Sequence, residues 1–185
     1  ELGVDDPVRL VSTSMMVSPG ADKDDAKRVN FINIQHGHGI ACDGYQASAL
    51  RTGYEQVIAT RTSDMFAKTA KRNAKVVSVS KEGIVLEYED GTREGFELGR
   101  RYGSSGALTF PHDIVSDLKQ GDNVKPGDVI LYNKGFFEKD YLNPNGVVWK
   151  SGLPTMVALM ERDVTYEDSS AITKSLASKL TSEII

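Results

Sequence analysis

This sequence of 185 residues has one cysteine, no long apolar run and no net positive charge, and each of these absences bears on the class of protein. The single cysteine, Cys42, cannot form an internal disulfide, so we expect a reducing compartment, the cytoplasm. No apolar run approaches the roughly 20 residues that a membrane helix needs, so we expect no membrane partner. The formal net charge of −4 does not by itself indicate a nucleic-acid binder. The first residue is Glu1 rather than Met, so we expect a piece of a longer protein or a processed product.

The middle of the chain carries the clearest β patterns. Residues 75–80, 83–89 and 93–98 are β-branched and partly alternating, which predicts three antiparallel strands joined by tight turns. The segment G-D-N-V-K-P-G-D-V-I-L-Y at 121–132 predicts a turn followed by a strand, a pattern typical of barrel-sandwich folds. Residues 99–106 and 134–155 are rich in glycine and polar residues and are expected to be loops. We therefore predict a mainly β fold with a few helices (α+β), built on a barrel-sandwich-like core.

Helices are predicted near both ends of the chain. Residues 24–35 are expected to form one helix and residues 169–180 another, each from apolar side chains on neighbouring turns. Residues 8–17 fit either a strand or a buried helical turn. Residues 156–160, M-V-A-L-M, predict a buried strand that leads into the second helix.

Two adjacent carboxylates, Glu167 and Asp168, follow that predicted strand. Neighbouring carboxylates repel each other and favour a nearby cation, a metal-bound phosphate or a helix N-terminus. The alternative interpretation is that Asp168 or Ser169 only caps the second helix.

Basic residues are concentrated between residues 56 and 75, a stretch in which Asp64 is the one acidic residue. Such a cluster is either a solvated face or a surface that faces nucleic acid or an acidic subunit. The residues concerned are Arg61, Lys68, Lys71, Arg72 and Lys75. The histidines and Cys42 do not have the spacing of a zinc site, so no directly bound metal is predicted.

Several motifs resemble, in order and spacing, segments of the β subunit of multisubunit DNA-directed RNA polymerases. The motif D-D-A-K-R ends at Arg28 and is similar to the family's D-D-A-N-R, and T-G-Y-E at 52–55 is similar to its T-G-M-E. The turn-plus-strand at 121–132 also has a counterpart there, and V-A-L-M followed by Y-E-D-S is similar to V-A-F-M followed by Y-N-(Y or F)-E-D-(A or S). His38 stands where the family has a glutamine. The divergence suggests a viral enzyme, such as the split-subunit polymerases of large bacteriophages.

The resemblance implies a nucleotidyltransferase that is active only within an assembly. It implies that Glu167 and Asp168 lie beside the catalytic centre and that Arg28 and His38 contact substrate or product phosphates. Mg²⁺ would be held mainly by a partner β′-like subunit, with Asp168 acting through the nucleotide-bound ion, because the motif N-A-D-F-D-G-D does not occur here. The implied partners are β′-like and other polymerase subunits, the DNA template, the RNA product and nucleoside triphosphates, in the cytoplasm or the host cytoplasm.

The resemblance also divides the chain into three parts. Residues 1–43 would carry the helix that faces the active site, residues 44–155 would form the barrel-sandwich-like domain, and residues 156–185 would belong to the catalytic barrel. Two alternatives remain open at this point. One is a stand-alone barrel-sandwich carrier or binding module, for which Glu138-Lys139-Asp140 is a poor match to a carrier motif. The other is a structural assembly domain in which the acidic pair is only a cap.

Overall fold

The computed structural model describes residues 11–185, and within them the ten β-strands contain more residues than the helices do. The strands form two four-stranded sheets and a separate two-stranded hairpin, in a half-barrel arrangement. The predicted class, mainly β with a few helices, is therefore confirmed. In the described part of the chain, no helix is long and apolar enough to cross a membrane.

The first sheet contains the predicted antiparallel meander. Its strands are β2 (Ala74–Val79), β3 (Gly83–Tyr88) and β4 (Arg93–Glu97), and β7 (Asn123–Val124) completes the order β4-β3-β2-β7. Alternate side chains of β3 face the core, because successive residues of a strand point to opposite faces. The core residues of β3 are Ile84, Leu86 and Tyr88. They form one cluster with apolar side chains of β2, β7 and β8 and of the segment before β2: Ala70, Ala74, Val76, Val124 and Ile130.

The second sheet has the order β1-β8-β6-β5 and corrects one prediction. Its strands are β1 (Ala67–Thr69), β5 (Gly99–Ser105), β6 (Leu108–Val115) and β8 (Val129–Asn133). Residues 99–106 were expected to be a loop, but they form β5 and the start of its turn. The hairpin tolerates this polar sequence because most of the β5 side chains are exposed, and Gly106 turns the chain with a φ of 61°.

A second hairpin lies inside the other predicted loop, residues 134–155. It pairs β9 (Phe137–Lys139) with β10 (Val147–Trp149), and Phe137 is 2% exposed in a cluster with Ala59, Tyr132 and Val147. The prediction of a structureless loop is thus wrong, because burial of these apolar side chains outweighs the flanking glycines and asparagines. Lys139 lies within β9 rather than at the hairpin tip, a position that does not resemble that of a carrier lysine.

Within residues 11–185, four helices flank the sheets. They are α1 (Thr13–Met16), α2 (Ala26–Gly37), α3 (Ile58–Thr62) and α4 (Lys174–Lys179), with a 3₁₀ turn at Tyr54–Gln56. The described part of residues 8–17 is therefore a helical turn, and its first three residues lie outside the described range. The Asp25 side chain caps α2 by accepting a hydrogen bond from the Lys27 amide.

Helix α4 begins later than predicted, and Thr173 caps it by accepting from the Leu176 amide. The expectation that Asp168 or Ser169 caps this helix is therefore wrong. Residues 169–172 are non-helical, so the helix starts after the Thr173 cap and not at residue 169.

Residues 153–172, here called the arm, connect β10 to α4 without any strand. The predicted buried strand at 156–160 is wrong for this chain, because Met156 and Leu159 are both 100% exposed. Both flanks of the arm are nevertheless fixed to one short segment. The Gln46 amide donates to the Gly152 carbonyl at 2.7 Å, and the Gly44 amide donates to the Lys179 carbonyl at 2.8 Å. The arm is thus a loop that projects from a single anchored base.

The segment that follows this base is joined to the β9–β10 hairpin by a buried polar network. Arg51 Nη1 lies 3.2 Å from Asp140 Oδ1, and Gln56 Nε2 donates to Asp140 Oδ2 at 2.8 Å. The Leu142 amide donates to the same carboxylate at 3.0 Å. Asp140 is 0% exposed, so these donors replace the water that the carboxylate loses on folding.

Candidate functional site

The acidic pair lies near the end of the arm, in a turn of its own. The Tyr166 amide donates to Ser169 Oγ at 2.7 Å, and the Ser169 amide donates to the Tyr166 carbonyl at 3.1 Å. Glu167 has a φ of 49°, a left-handed conformation that residues other than glycine adopt uncommonly. Both carboxylates are exposed, and neither forms an ion pair with any residue between 11 and 185. The turn therefore presents two free carboxylates next to each other.

Arg28 lies in the first turn and a half of α2, on the exposed side of the helix. Its neighbour Val29 is 5% exposed and lies on the opposite, buried side. No hydrogen bond or ion pair within residues 11–185 joins Arg28 to Glu167 or Asp168. The convergence of these three side chains on one pocket stays a prediction.

His38 is the C-terminal cap residue of α2, and its amide donates to the Gln35 and His36 carbonyls. The ring is exposed and lies in the wall of a cavity described below. The preceding histidine, His36, packs edge-on against Trp149, with ring centroids 5.5 Å apart. That contact attaches the end of α2 to β10, so the position of His38 is set by packing.

Two of the five predicted nucleic-acid-facing residues are paired within the chain. Lys68 Nζ lies 3.2 Å from Asp64 Oδ2, and Arg72 Nη1 lies 2.7 Å from Asp90 Oδ2. The Arg72 guanidinium also lies over the Tyr88 ring, 4.1 Å from its centroid. Hydrogen bonds from the Thr92 hydroxyl and amide, and then from Arg72, lower the pKa of Asp90 to about 2.

The other three basic residues, Arg61, Lys71 and Lys75, are exposed. Within the described residues, none of them forms an ion pair. Their expected role toward nucleic acid stays a prediction.

Sequence reasoning missed a cavity of about 720 Å³. It lies between the end of α2, the β5–β6 hairpin, the start of the β8–β9 connection and residues 182–183. Its charged wall residues come from sites far apart in the sequence, so no local motif marks them: Asp43, Arg100, Asp113, Lys134, Lys150 and Glu183.

Arg100 organises one wall of this cavity. Its Nε and Nη2 atoms donate to the two Asp113 oxygens at 2.9 Å and 3.1 Å, and its Nη1 donates to Glu183 at 2.9 Å. The hydrogen bonds from Arg100 lower the pKa of Asp113, and the same bonds raise the pKa of Arg100. Two backbone hydrogen bonds between Thr109 and Ile185 hold the C-terminal segment beside this group.

The chain thus forms a mainly β, barrel-like unit with an exposed acidic loop. No protein-family model matches the chain. The DNA-directed RNA polymerase subunit beta of Desulfatibacillum aliphaticivorans is 30% identical to it over 131 residues. The match covers 67% of this chain and 9% of that protein, so the chain spans less than a tenth of the curated relative. The similarity is therefore a distant and partial link to RNA polymerase β subunits.

Proposed function

We propose that this chain is a β-like subunit, or a fragment of one, of a DNA-directed RNA polymerase. It contributes nucleotide-contacting residues to template-directed RNA synthesis. The observation that carries the proposal is the 30% identity over 131 residues to a polymerase β subunit. The order of D-D-A-K-R, T-G-Y-E and Y-E-D-S along the chain agrees with it. Because the match covers 9% of that relative, activity requires further polypeptide.

In this proposal Arg28 and the acidic pair surround the triphosphate of the incoming nucleotide. A planar guanidinium binds phosphate oxygens in a bidentate manner, which suits Arg28 to the triphosphate. Phosphoryl transfer depends on positioning and on charge stabilisation, to which Glu167 and Asp168 contribute around the metal–phosphate group. His38 is proposed to contact RNA or product phosphate. Mg²⁺ supplies charge neutralisation when it is bound.

In this proposal another chain completes the magnesium site. Among residues 11–185, no three His, Cys, Asp or Glu side chains are grouped so that they could hold a metal ion. We propose that a β′-like partner mainly holds the ion and that Asp168 acts through the nucleotide-bound ion. Because a partner holds the ion in this proposal, this chain is expected to be inactive alone.

The arm supports the proposal that other polypeptides complete the site. Its apolar side chains are exposed, including Val157 at 78% and Val164 at 80%. Contiguous exposed apolar surface marks interaction sites, and a segment without a strand partner in its own chain is free to pair with another sheet. We propose that the arm packs into a barrel that β′-like or other polymerase subunits complete, while Arg61, Lys71 and Lys75 face DNA or RNA. A viral source and a cytoplasmic or host-cytoplasmic location are proposed with it.

The test is the elongation rate of the polymerase reconstituted with its partner chains. We expect Glu167→Ala combined with Asp168→Ala to lower the rate by about tenfold or more, as for the loss of a charge-assisted interaction. The matched control is Glu161→Ala combined with Asp163→Ala, which removes two exposed carboxylates from the same arm. The control is expected to elongate at the unaltered rate.

An unchanged elongation rate in the Glu167/Asp168 variant would end the proposal. A variant that assembles poorly but elongates normally once assembled would instead identify a structural assembly domain. Copurification of the partner chains, measured on both double variants, separates these two outcomes.

A further inference from the structure

In the wall of the 720 Å³ cavity, the carboxylates have hydrogen-bond partners among residues 11–185, whereas several donors do not. Its volume lies within the range of about 300–1,000 Å³ that is usual for small-molecule sites. Each of its carboxylates already has a partner in the protein. Asp113 and Glu183 accept from Arg100, and Asp43 Oδ2 accepts from Thr181 Oγ1 at 3.0 Å. The three carboxylates of this wall are therefore engaged by donors of the protein.

Two ammonium groups of the same wall lack such partners. Within the described residues, neither Lys134 nor Lys150 forms an ion pair or a side-chain hydrogen bond. Lys150 is partly buried, and burial lowers its pKa, with the charge of Lys134 acting in the same direction. The nearby carboxylates of Glu138 and Asp43 act in the opposite direction but do not reach ion-pair distance. An anion between the two lysines would relieve their repulsion.

His112 supplies a third free donor, because its tautomer is set by a buried neighbour. The Gly135 amide donates to Asn133 Oδ1 at 3.0 Å, which leaves Asn133 Nδ2 as the donor to His112 Nδ1, also at 3.0 Å. Neutral His112 therefore carries its proton on Nε2. Among residues 11–185, that Nε2 proton has no hydrogen-bond acceptor. The ring is held in place by stacking on Phe136, with centroids 6.1 Å apart.

We propose that this cavity binds a small phosphate-bearing anion, with the phosphate oxygens between Lys134, Lys150 and His112. A phosphate group offers several strong acceptor oxygens to the three free donors, whereas the engaged carboxylates leave no comparable place for a cation. Phe110 and Phe136, also in the wall, provide apolar surface for an organic part of the ligand. His38, which the proposed function assigns to RNA or product phosphate, also lines this cavity. The inference nevertheless rests on Lys134, Lys150 and His112 and not on polymerase activity.

The experiment measures binding of inorganic phosphate and of adenosine monophosphate to the full chain at constant ionic strength, by equilibrium dialysis with labelled ligand. Both arms are expected to show saturable one-to-one binding, and tighter binding of the nucleotide would identify an organic phosphate as the source. Lys150→Met and Lys134→Met are each expected to weaken binding by about tenfold or more. Lys125→Met, at an exposed lysine of the β7–β8 turn, is the charge-matched control and is expected to bind as the unaltered chain does.

Absence of saturable binding in both arms would overturn the inference. So would binding that the control weakens as much as Lys150→Met does, because the effect would then be one of net charge. Lys150→Arg guards against a folding defect, since it keeps the charge and should bind more tightly than Lys150→Met. The Glu167/Asp168 double variant should retain the binding, so failure of this inference and failure of the proposed polymerase role are distinguishable.

Discussion

Removal of the Arg51 guanidinium should destabilise the fold through Asp140. The carboxylate is 1% exposed and the Arg51 side chain 9% exposed, so Arg51→Met leaves a buried negative charge without its counter-ion. Removal of one partner of a buried ion pair usually lowers the free energy of unfolding by about 3–5 kcal/mol. The Gln56 and Leu142 donors remain on the carboxylate, which places the expected loss near the lower limit, at about 3 kcal/mol.

The assay is urea or thermal unfolding of the full chain followed by circular dichroism. For a protein of this size, a loss of about 3 kcal/mol corresponds to a fall in Tm of roughly 6–12 °C. Asp140→Asn placed on the Arg51→Met background should recover part of the loss, since the amide is neutral and still accepts a hydrogen bond. This recovery separates the cost of an unpaired charge from the cost of lost side-chain packing.

The control is Arg93→Met, which breaks an ion pair of similar length on the surface. Arg93 Nε lies 2.7 Å from Glu87 Oε2, and the two side chains are 65% and 36% exposed. Exposed pairs contribute about 0–1 kcal/mol, so this variant should unfold almost as the unaltered chain does. An Arg51→Met loss no larger than the Arg93→Met loss would refute the argument that the buried network holds the hairpin.

Two further predictions concern the arm and the pH dependence of stability. Replacing Met156 and Leu159 by serine should abolish copurification of partner chains without lowering the unfolding free energy, because both side chains are fully exposed in this chain; retained copurification would contradict the role given to the arm. Burial is the main reason that the pKa of Tyr132 is raised above the ordinary 10.0, and the Asp117 carboxylate adds to the effect. The neutral Tyr132 hydroxyl therefore contributes to stability below about pH 10, and this contribution is lost as the pH rises beyond that value. Tyr132→Phe should flatten this alkaline loss in unfolding titrations, whereas exposed Tyr166→Phe should not, and equal curves for the two variants would contradict it.

The sequence by itself determined the local elements whose signals are local. Alternation predicted β2, β3 and β4 to within a residue or two at each end, and Gly91 has the positive φ that the Asp90-Gly91 turn requires. The acids before α2 predicted its start to within two residues, since the helix was expected from residue 24 and begins at Ala26, with Asp25 as its cap. The motif order predicted a relation to RNA polymerase β subunits, and the distant match to one of them agrees with that prediction.

Tertiary structure alone decided the features that depend on contacts between distant residues. The sequence of β5 predicts a loop because its side chains are polar. The segment is a strand because it pairs with β6, and its polar side chains stay exposed. The run at 156–160 reads as a buried strand, yet within this chain it has no sheet to join and stays exposed. The cavity brings together Asp43, Arg100, Lys134 and Glu183, and no spacing in the sequence marks such a group. Periodicity records the faces of an element, whereas a wall built from several segments exists only once the chain has folded.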